Sequence, residues 1–312
     1  GFVGNVGGDD FHAFQHLDPA LRLPRLGGLG LEAFDKAAQV GDLALLGFVA
    51  RLLGGQPGGT GPFVVGIAAA GQAQALQVDG DDLALPGKLQ TQADYLDAHP
   101  HCRLCYHEAD MFDDESGRTI KLFTREFYNF RYLRPVGDRA DLIRYGCFVN
   151  ASAIMFRRHQ RMVEAIDEGC KIILDYPWHI LNLSLQPGTL DFIPAVLGRY
   201  RYHANSFGGQ TRQSAERREQ SLQDLLRACD NAAVFGADPM LIAQGRAHHL
   251  YSAALYFLRQ GDSQRFTRLI EQSVAEVATL APGWFFDDRH QLAWECRHDP
   301  AQVEQRLFGE TV

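Results

Sequence analysis

Three aspartates fall within four positions of VDGDD, at Asp79, Asp81 and Asp82, directly after the apolar approach ALQV. Like charges this close repel one another, so the arrangement is costly unless water, helix-terminal N–H groups or a bound cation offsets it. An acidic turn at a strand end, followed by a helix starting near Pro86, can offer oxygen ligands to a divalent cation and leave positions open for diphosphate oxygens. Much later, GRYRYHANSFGG places Arg201 and His203 after a strand-like run and before a glycine-rich loop. A neutral imidazole suits the third ligand position, and a flexible loop can close over what the metal holds. Between these segments Asp175 opens DYPWHIL, with Trp178 three residues on. Read from the residues alone, Asp175 is either a base for proton abstraction or a plain helix N-cap.

Other chemistry-bearing groups are weaker. Cys102 and Cys105 form a C-x2-C flanked by His99, His101 and His107, which invites a zinc reading. The run CRLCYHEADMF alternates like a strand, however, and residues three apart on a strand point to opposite faces. The sequence has no second C-x2-C, so the expectation is reduced, partly buried thiols in a cytosolic protein. GLGLEA, from Gly28, has a dinucleotide-loop outline, but LRLPRL puts a proline where the preceding buried strand should be. GGQPGGTG lacks the lysine of a Walker loop and reads as a turn.

The elements that must position these residues follow from composition and periodicity. The chain has 312 residues, 46% of them hydrophobic, with a formal net charge of -8. That balance argues against a nucleic-acid partner, whose phosphates need clustered Lys and Arg. No apolar run approaches the roughly 18 residues of a membrane span, so no transmembrane segment is expected. Gly1 stands where an initiating Met would be, which suggests a fragment.

Three regions differ in character. Residues 1–66 are rich in Gly, Ala and Leu, and no Tyr, Trp, Ser, Cys or Met occurs before Tyr95. That is poor material for strands, and loose packing is expected there. Residues 67–214 alternate strands and helices, the pattern of a layered α/β domain. PGKLQTQADYLDAHP is predicted as a helix, CRLCYHEADMFD as a strand, ADLIRYG as a helix, CFVNASAIMFRR as a strand, HQRMVEAIDEG and DYPWHILNLSLQPG as helices, and TLDFIPAVLGRYRYH as the last strands. Residues 215–312 are helical, with a turn at Gly261 and Asp262 between two helices.

In this order and spacing, DGDDLALPGKLQTQADYLDAHP, CYHEADMFDDESG, NASAIMFRR and DYPWHILNLSLQPGTLDFIPAVLGRYRYHANS resemble the middle and end of a family 2 glycosyltransferase. The resemblance covers about Val78 to Ser206, with a helical tail like those of bacterial members. It implies a nucleotide-diphospho-sugar transferase-like α/β fold, a mixed sheet flanked by helices with an α-helical C-terminal extension. It implies an inverting transfer from a nucleotide-diphosphate sugar to a hydroxyl of a glycan, lipid or protein, with Mg or Mn. Position by position, it makes Asp79, Asp81 and His203 metal ligands, and puts Asp79, Asp82 and Arg201 at the donor. Asp175 becomes the general base. His107, Asn150, Ser152 and Trp178 fall on the acceptor side. The location implied is cytoplasmic, extending to the inner face of the membrane.

The chain departs from the family upstream. The apolar strand ending in a P-T-Y-N-like turn and the strand ending in D-D-G-S, which hold the nucleotide base, are missing. Residues 1 to about 75 are therefore a wrong-frame or mis-assembled stretch, a diverged replacement, or the mark of a chain that has lost catalysis. The rival function is a catalytically impaired carbohydrate-binding or interaction protein. A metal-dependent phosphohydrolase would want more His and Asp ligands than DGDD and His203 supply.

Overall fold

Pro86 and Gly87 end an extended stretch and start a helix, and the structure, a computed structural model, places α1 at Lys88–Ala98. It describes residues 63–69, 72–78, 82–128, 132–204 and 206–309; the expectations for residues 1–62 lie outside them. Gly87 adopts φ 83°, a left-handed conformation that a residue with a Cβ resists. The inward face of α1 carries Lys88, Gln92, Ala93 and Leu96, and Pro100 forbids continuation. At its C-terminal end the Leu96 and His99 carbonyls, which accept the backbone N–H groups of His99 and Cys102, also accept from Arg157, a buried guanidinium that donates to Leu96 O, to His99 O at 3.3 Å and, just beyond, to Cys102 O at 2.8 Å.

The strands are β1 (Phe63–Ala69), β2 (Gln72–Val78), β3 (Leu83–Ala84), β4 (Cys102–Asp113), β5 (Thr119–Leu122), β6 (Val136–Gly137), β7 (Ile154–Arg157) and β8 (Thr189–Tyr202). They form one mixed sheet in the order β1-β2-β7-β4-β8-β3, with β5 paired to β4 and β6 to β8. β4 and β8 run parallel, whereas β1/β2, β2/β7, β4/β7 and β3/β8 are antiparallel. Sheet and flanking helices make the architecture mixed α/β. The β1–β2 hairpin runs through residues whose composition argued against strands, with Phe63 opposite Val78. Backbone pairing there overrides weak side-chain propensity.

The described residues divide into two compact units. The first holds the sheet and α1 and comprises those up to 137, with 149–160 and 186–203. Its core beneath α1 joins Ala93, Leu96, Cys102, Cys105, Met155, Ile193 and Leu197. Both cysteines lie in that one cluster, contrary to simple alternation, because the β4–β8 register shifts between Cys102 and Leu104. A bulge re-aims the side chains that follow it.

The second unit is helical and comprises residues 138–148, 161–185 and 204 onward. Its helices are α2 (Arg139–Tyr145), α3 (Asp175–Leu185), α4 (Phe207–Gln213), α5 (Ala215–Val234), α6 (Pro239–Arg259), α7 (Ser263–Val277), α8 (Asp288–Glu295) and α9 (Pro300–Phe308). α2 and α3 thus group with the C-terminal helices, although they lie within the segment predicted to be one α/β domain. The core of this unit is built on Leu250, Ala254, Phe257, Phe266, Ile270 and Val303. HQRMVEAIDEG, expected as a helix, forms only a short 3-10 turn at Met162–Ala165. Among the described residues no helix is long and apolar enough to cross a membrane.

Candidate functional site

In the first unit, β4 and β8 lie side by side with Asp110 opposite Arg199 and Phe112 opposite Arg201. Alternation puts Asp110 and Phe112 on one face of β4, and Arg199 and Arg201 on one face of β8. Arg199 donates to Asp110 at 2.7 Å and to Gly117 O at 2.9 Å, and Arg201 pairs with Asp114. Both guanidinium carbons lie against the buried Phe112 ring, 4.2 Å and 4.9 Å from its centroid. The donor-side arginine of the sequence reading, Arg201, is therefore already engaged by a carboxylate and an aromatic face.

β3, which follows Asp82, meets the same strand. β3 pairs Leu83 with Arg199 and Ala84 with Gly198. Just before it, the buried Asp82 accepts a hydrogen bond from the backbone N–H of Arg201 at 2.8 Å. His203 follows the end of β8, two residues beyond Arg201, and is half-buried. Asp79 and Asp81 lie outside the described residues. Carboxylates together with an imidazole make a hard O/N donor set that suits Mg or Mn; of the three expected ligands only His203 lies among the described residues. Among the described residues no group of three or more His, Cys, Asp or Glu side chains could hold a metal ion.

His107, Asn150 and Ser152, read as acceptor-side groups, are all buried, His107 to 1% exposure. His107 Nδ1–H donates to Glu108 O at 2.7 Å, which leaves Nε2 as a bare acceptor with no partner among the described residues. Burial, with the Lys88 ammonium adding to it, pushes this imidazole down to about 3, so it is neutral. Lys88 is itself buried and donates to the carbonyl of Ser152. A Cβ on Gly198 would stand 3.0 Å from His107 Cε1 and 3.1 Å from Leu83 O, so any side chain there crowds the ring and that carbonyl where β8 passes them.

Asp175 and Trp178 belong to the second unit. Asp175 is the first residue of α3. Burial raises its pKa and outweighs the backbone N–H groups that lower it. The helix N-terminus, which favours the ionised carboxylate, is the weaker effect here. A carboxylate with a raised pKa is the better proton acceptor. Trp178 is 5% exposed, its ring 5.3 Å from that of His179, edge to face, so a sugar could stack on it only by displacing neighbours.

Several buried polar groups escaped sequence reasoning. Glu108, fully buried, accepts from Ala109 N at 2.9 Å, Thr124 N at 2.8 Å and Arg125 N at 3.1 Å, and so seats the π-helical turn Phe123–Phe127. Asp191, 3% exposed, takes the Tyr95 hydroxyl at 3.1 Å. Beside it, burial lifts both thiols, Cys105 to about 12, which makes them inert. The available signal was a carboxylate inside an otherwise apolar strand, as in YHEADMF and TLDFI.

No family model matches the chain. An uncharacterized protein of Mycobacterium bovis and two of Mycobacterium tuberculosis strains are each 26% identical to it over 139 residues, which is 44% of this chain. The match covers 37% of each of those proteins, so the chain spans well under half the length of the curated relatives it matches.

Proposed function

We propose that the chain is an inverting glycosyltransferase of the nucleotide-diphospho-sugar transferase type, taking a hydroxyl acceptor and related to the family 2 enzymes. The observation that carries the reading is the Asp82–Arg201 hydrogen bond. It joins Asp82, the residue after the D-x-D-like motif, to the strand that leads into HANS, which supports a reading that requires the two segments to work together. Asp79, Asp81 and His203 would hold Mg or Mn, which supplies charge neutralisation to a leaving diphosphate. Asp82 fixes the turn through its bond to β8, and Arg201 contributes positive charge there if it exchanges Asp114 for phosphate.

In the reaction, the acceptor oxygen bonds to the anomeric carbon as the bond from that carbon to the diphosphate oxygen breaks. The acceptor proton passes to the Asp175 carboxylate, and the single displacement inverts the centre. The raised pKa of Asp175 supports this role. His107, neutral and with Nε2 open, can accept a hydrogen bond from a hydroxyl that reaches it.

The test is a panel of nucleotide sugars with Mn, read by transfer and by melting temperature. Mn with the matching nucleoside diphosphate raises the melting temperature, since a ligand that binds only the folded state stabilises it. Asp175→Asn lowers transfer about 10²-fold or more and leaves that shift unchanged. A shift without transfer favours the impaired, carbohydrate-binding alternative, and neither shift nor transfer rejects the transferase reading.

A further inference from the structure

The approach to α3 is built by one stripe of α5. Gln220, Asp224, Arg227 and Asn231 follow the spacing i, i+4, i+7, i+11 of a single helix face. Asp224, 1% exposed, accepts from three successive backbone N–H groups: Lys171 at 3.1 Å to each oxygen, Ile172 at 2.7 Å and Ile173 at 2.9 Å. The Gln220 amide donates to the same carboxylate at 2.9 Å. One turn along, Arg227 donates to Asp167 at 2.5 Å and 2.8 Å, the Asn231 amide joins it, and Asp167 also takes Gly169 N at 2.9 Å. Arg227 lies so close over Gly169 that a Cβ there would be 2.1 Å from its guanidinium carbon.

This is more than an anchored loop. Three consecutive N–H groups converging on one carboxylate form an anion nest, which restricts the backbone of residues 171–173. Ile173 is two residues from Asp175, and the next residue, Leu174, accepts Trp178 N at 3.3 Å in the first turn of α3. The chain therefore enters the helix directly from the nest. We propose that Asp224, with Arg227 behind it, is a positioning residue for Asp175: it fixes residues 167–174 and through them the place and direction of the Asp175 carboxylate. What Asp175 does once placed rests on the transferase reading; that Asp224 places it does not.

The experiment uses the full chain and its Asp224→Ala and Asp224→Asn variants. Amide exchange reads residues 171–173, and carboxyl 13C NMR reads Asp175, its signal assigned with Asp175→Asn. In the alanine variant the three amides exchange about 10-fold faster or more. The titration of Asp175, whose surroundings include Cys147 and through it Arg218, moves down toward the ordinary carboxylate range. Asparagine keeps one acceptor oxygen and falls between. Where transfer is measurable, kcat drops about tenfold or more with donor KM unchanged. Faster amide exchange with an unmoved Asp175 titration overturns the proposal. If the alanine chain does not fold, the asparagine chain decides by the same two outcomes. If the parent transfers no sugar and gains no melting temperature with Mn and a nucleoside diphosphate, while the alanine variant shows the Asp175 shift, the transferase reading is rejected and the positioning role is supported.

Discussion

The Asp82 carboxylate accepts the backbone N–H of Arg201 at 2.8 Å across 119 positions of sequence. The bond is made by a buried acid with a backbone group that sits on β8, next to the ladder that β3 forms. A charged acceptor in that place is worth more than a neutral one, and its loss strands a donor inside the unit.

Replacing Asp82 with Ala should therefore cost about 2 kcal/mol of stability, read from urea unfolding. Asp82→Asn keeps an oxygen acceptor for Arg201 N and should cost less than half as much. Under the transferase reading the asparagine variant also loses charge at the turn, so Mn with a nucleoside diphosphate stabilises it less than the parent. Equal stability of the alanine variant and the parent would show that the bond contributes nothing net.

Gly198 is the point where β8 passes the His107 ring. Gly198→Ala places a methyl 3.0 Å from His107 Cε1 and 3.1 Å from the Leu83 carbonyl. Overpacking of this kind costs about 1–3 kcal/mol. Adding His107→Ala should recover part of it, because one of the two crowding partners is gone, whereas the backbone carbonyl remains. A double-mutant cycle checks this: strict additivity would mean the ring is not what crowds residue 198.

Local signals carried much of the fold. Pro86 and Pro100 bracket α1, Asp175 opens α3, and CRLCYHEADMFD is β4 from end to end. What escaped the sequence depended on partners far away. Cys102 and Cys105 share a face because β4 is bulged against β8. HQRMVEAIDEG fails to be a continuous helix because Asp167 turns to Arg227 and Asn231, and Gly169 passes beneath that guanidinium. In CFVNASAIMFRR only Ile154–Arg157 is strand. Candidate site residues could be chosen by type and order, but their burial could not be read: nothing in DYPWHIL or CYHEAD announces that Trp178 and His107 are enclosed.

Asp167 gives the second unit a dependence on acid. Burial raises its pKa, but Arg227, Gly169 N–H, Asn231 and Cys170 outweigh that and hold the carboxyl at about 2. An aspartate depressed on folding adds stability that is present above its unfolded value near 4 and is lost as pH falls toward 2. Arg227→Ala should lower stability at neutral pH, modestly because the arginine is half-exposed and the pair partly screened, and flatten the stability curve between about pH 4 and pH 2. Denaturant midpoints at several acidic pH values check it; parallel curves for parent and variant would refute it.

His290 gives the same unit a dependence at milder pH. The ring is fully buried, and Phe286 N–H donates to Nδ1 at 3.2 Å, so that nitrogen carries no proton. Nε2–H therefore donates to Ser273 Oγ at 3.0 Å, whose own proton goes to Ala247 O at 2.7 Å. Every polar atom of this chain of bonds is used, and only the neutral ring fits it. Protonation would set a new N–H against that of Phe286. Burial, with His248 nearby, lowers the pKa to about 4. The unfolded chain binds this proton near 6.5 and the folded chain does not, so stability is complete above about pH 6.5 and declines as pH falls toward 4. His248, at about 4, and His249 act in the same direction. His290→Asn removes one titrating ring from the window. Its melting temperature at pH 7 should be lower than the parent's, because Ser273 and Phe286 lose their partner. Its further decline from pH 6.5 to 4.5 should be shallower than the parent's. An equal or steeper decline in the variant would show that other groups set the dependence and that this ring is not among them.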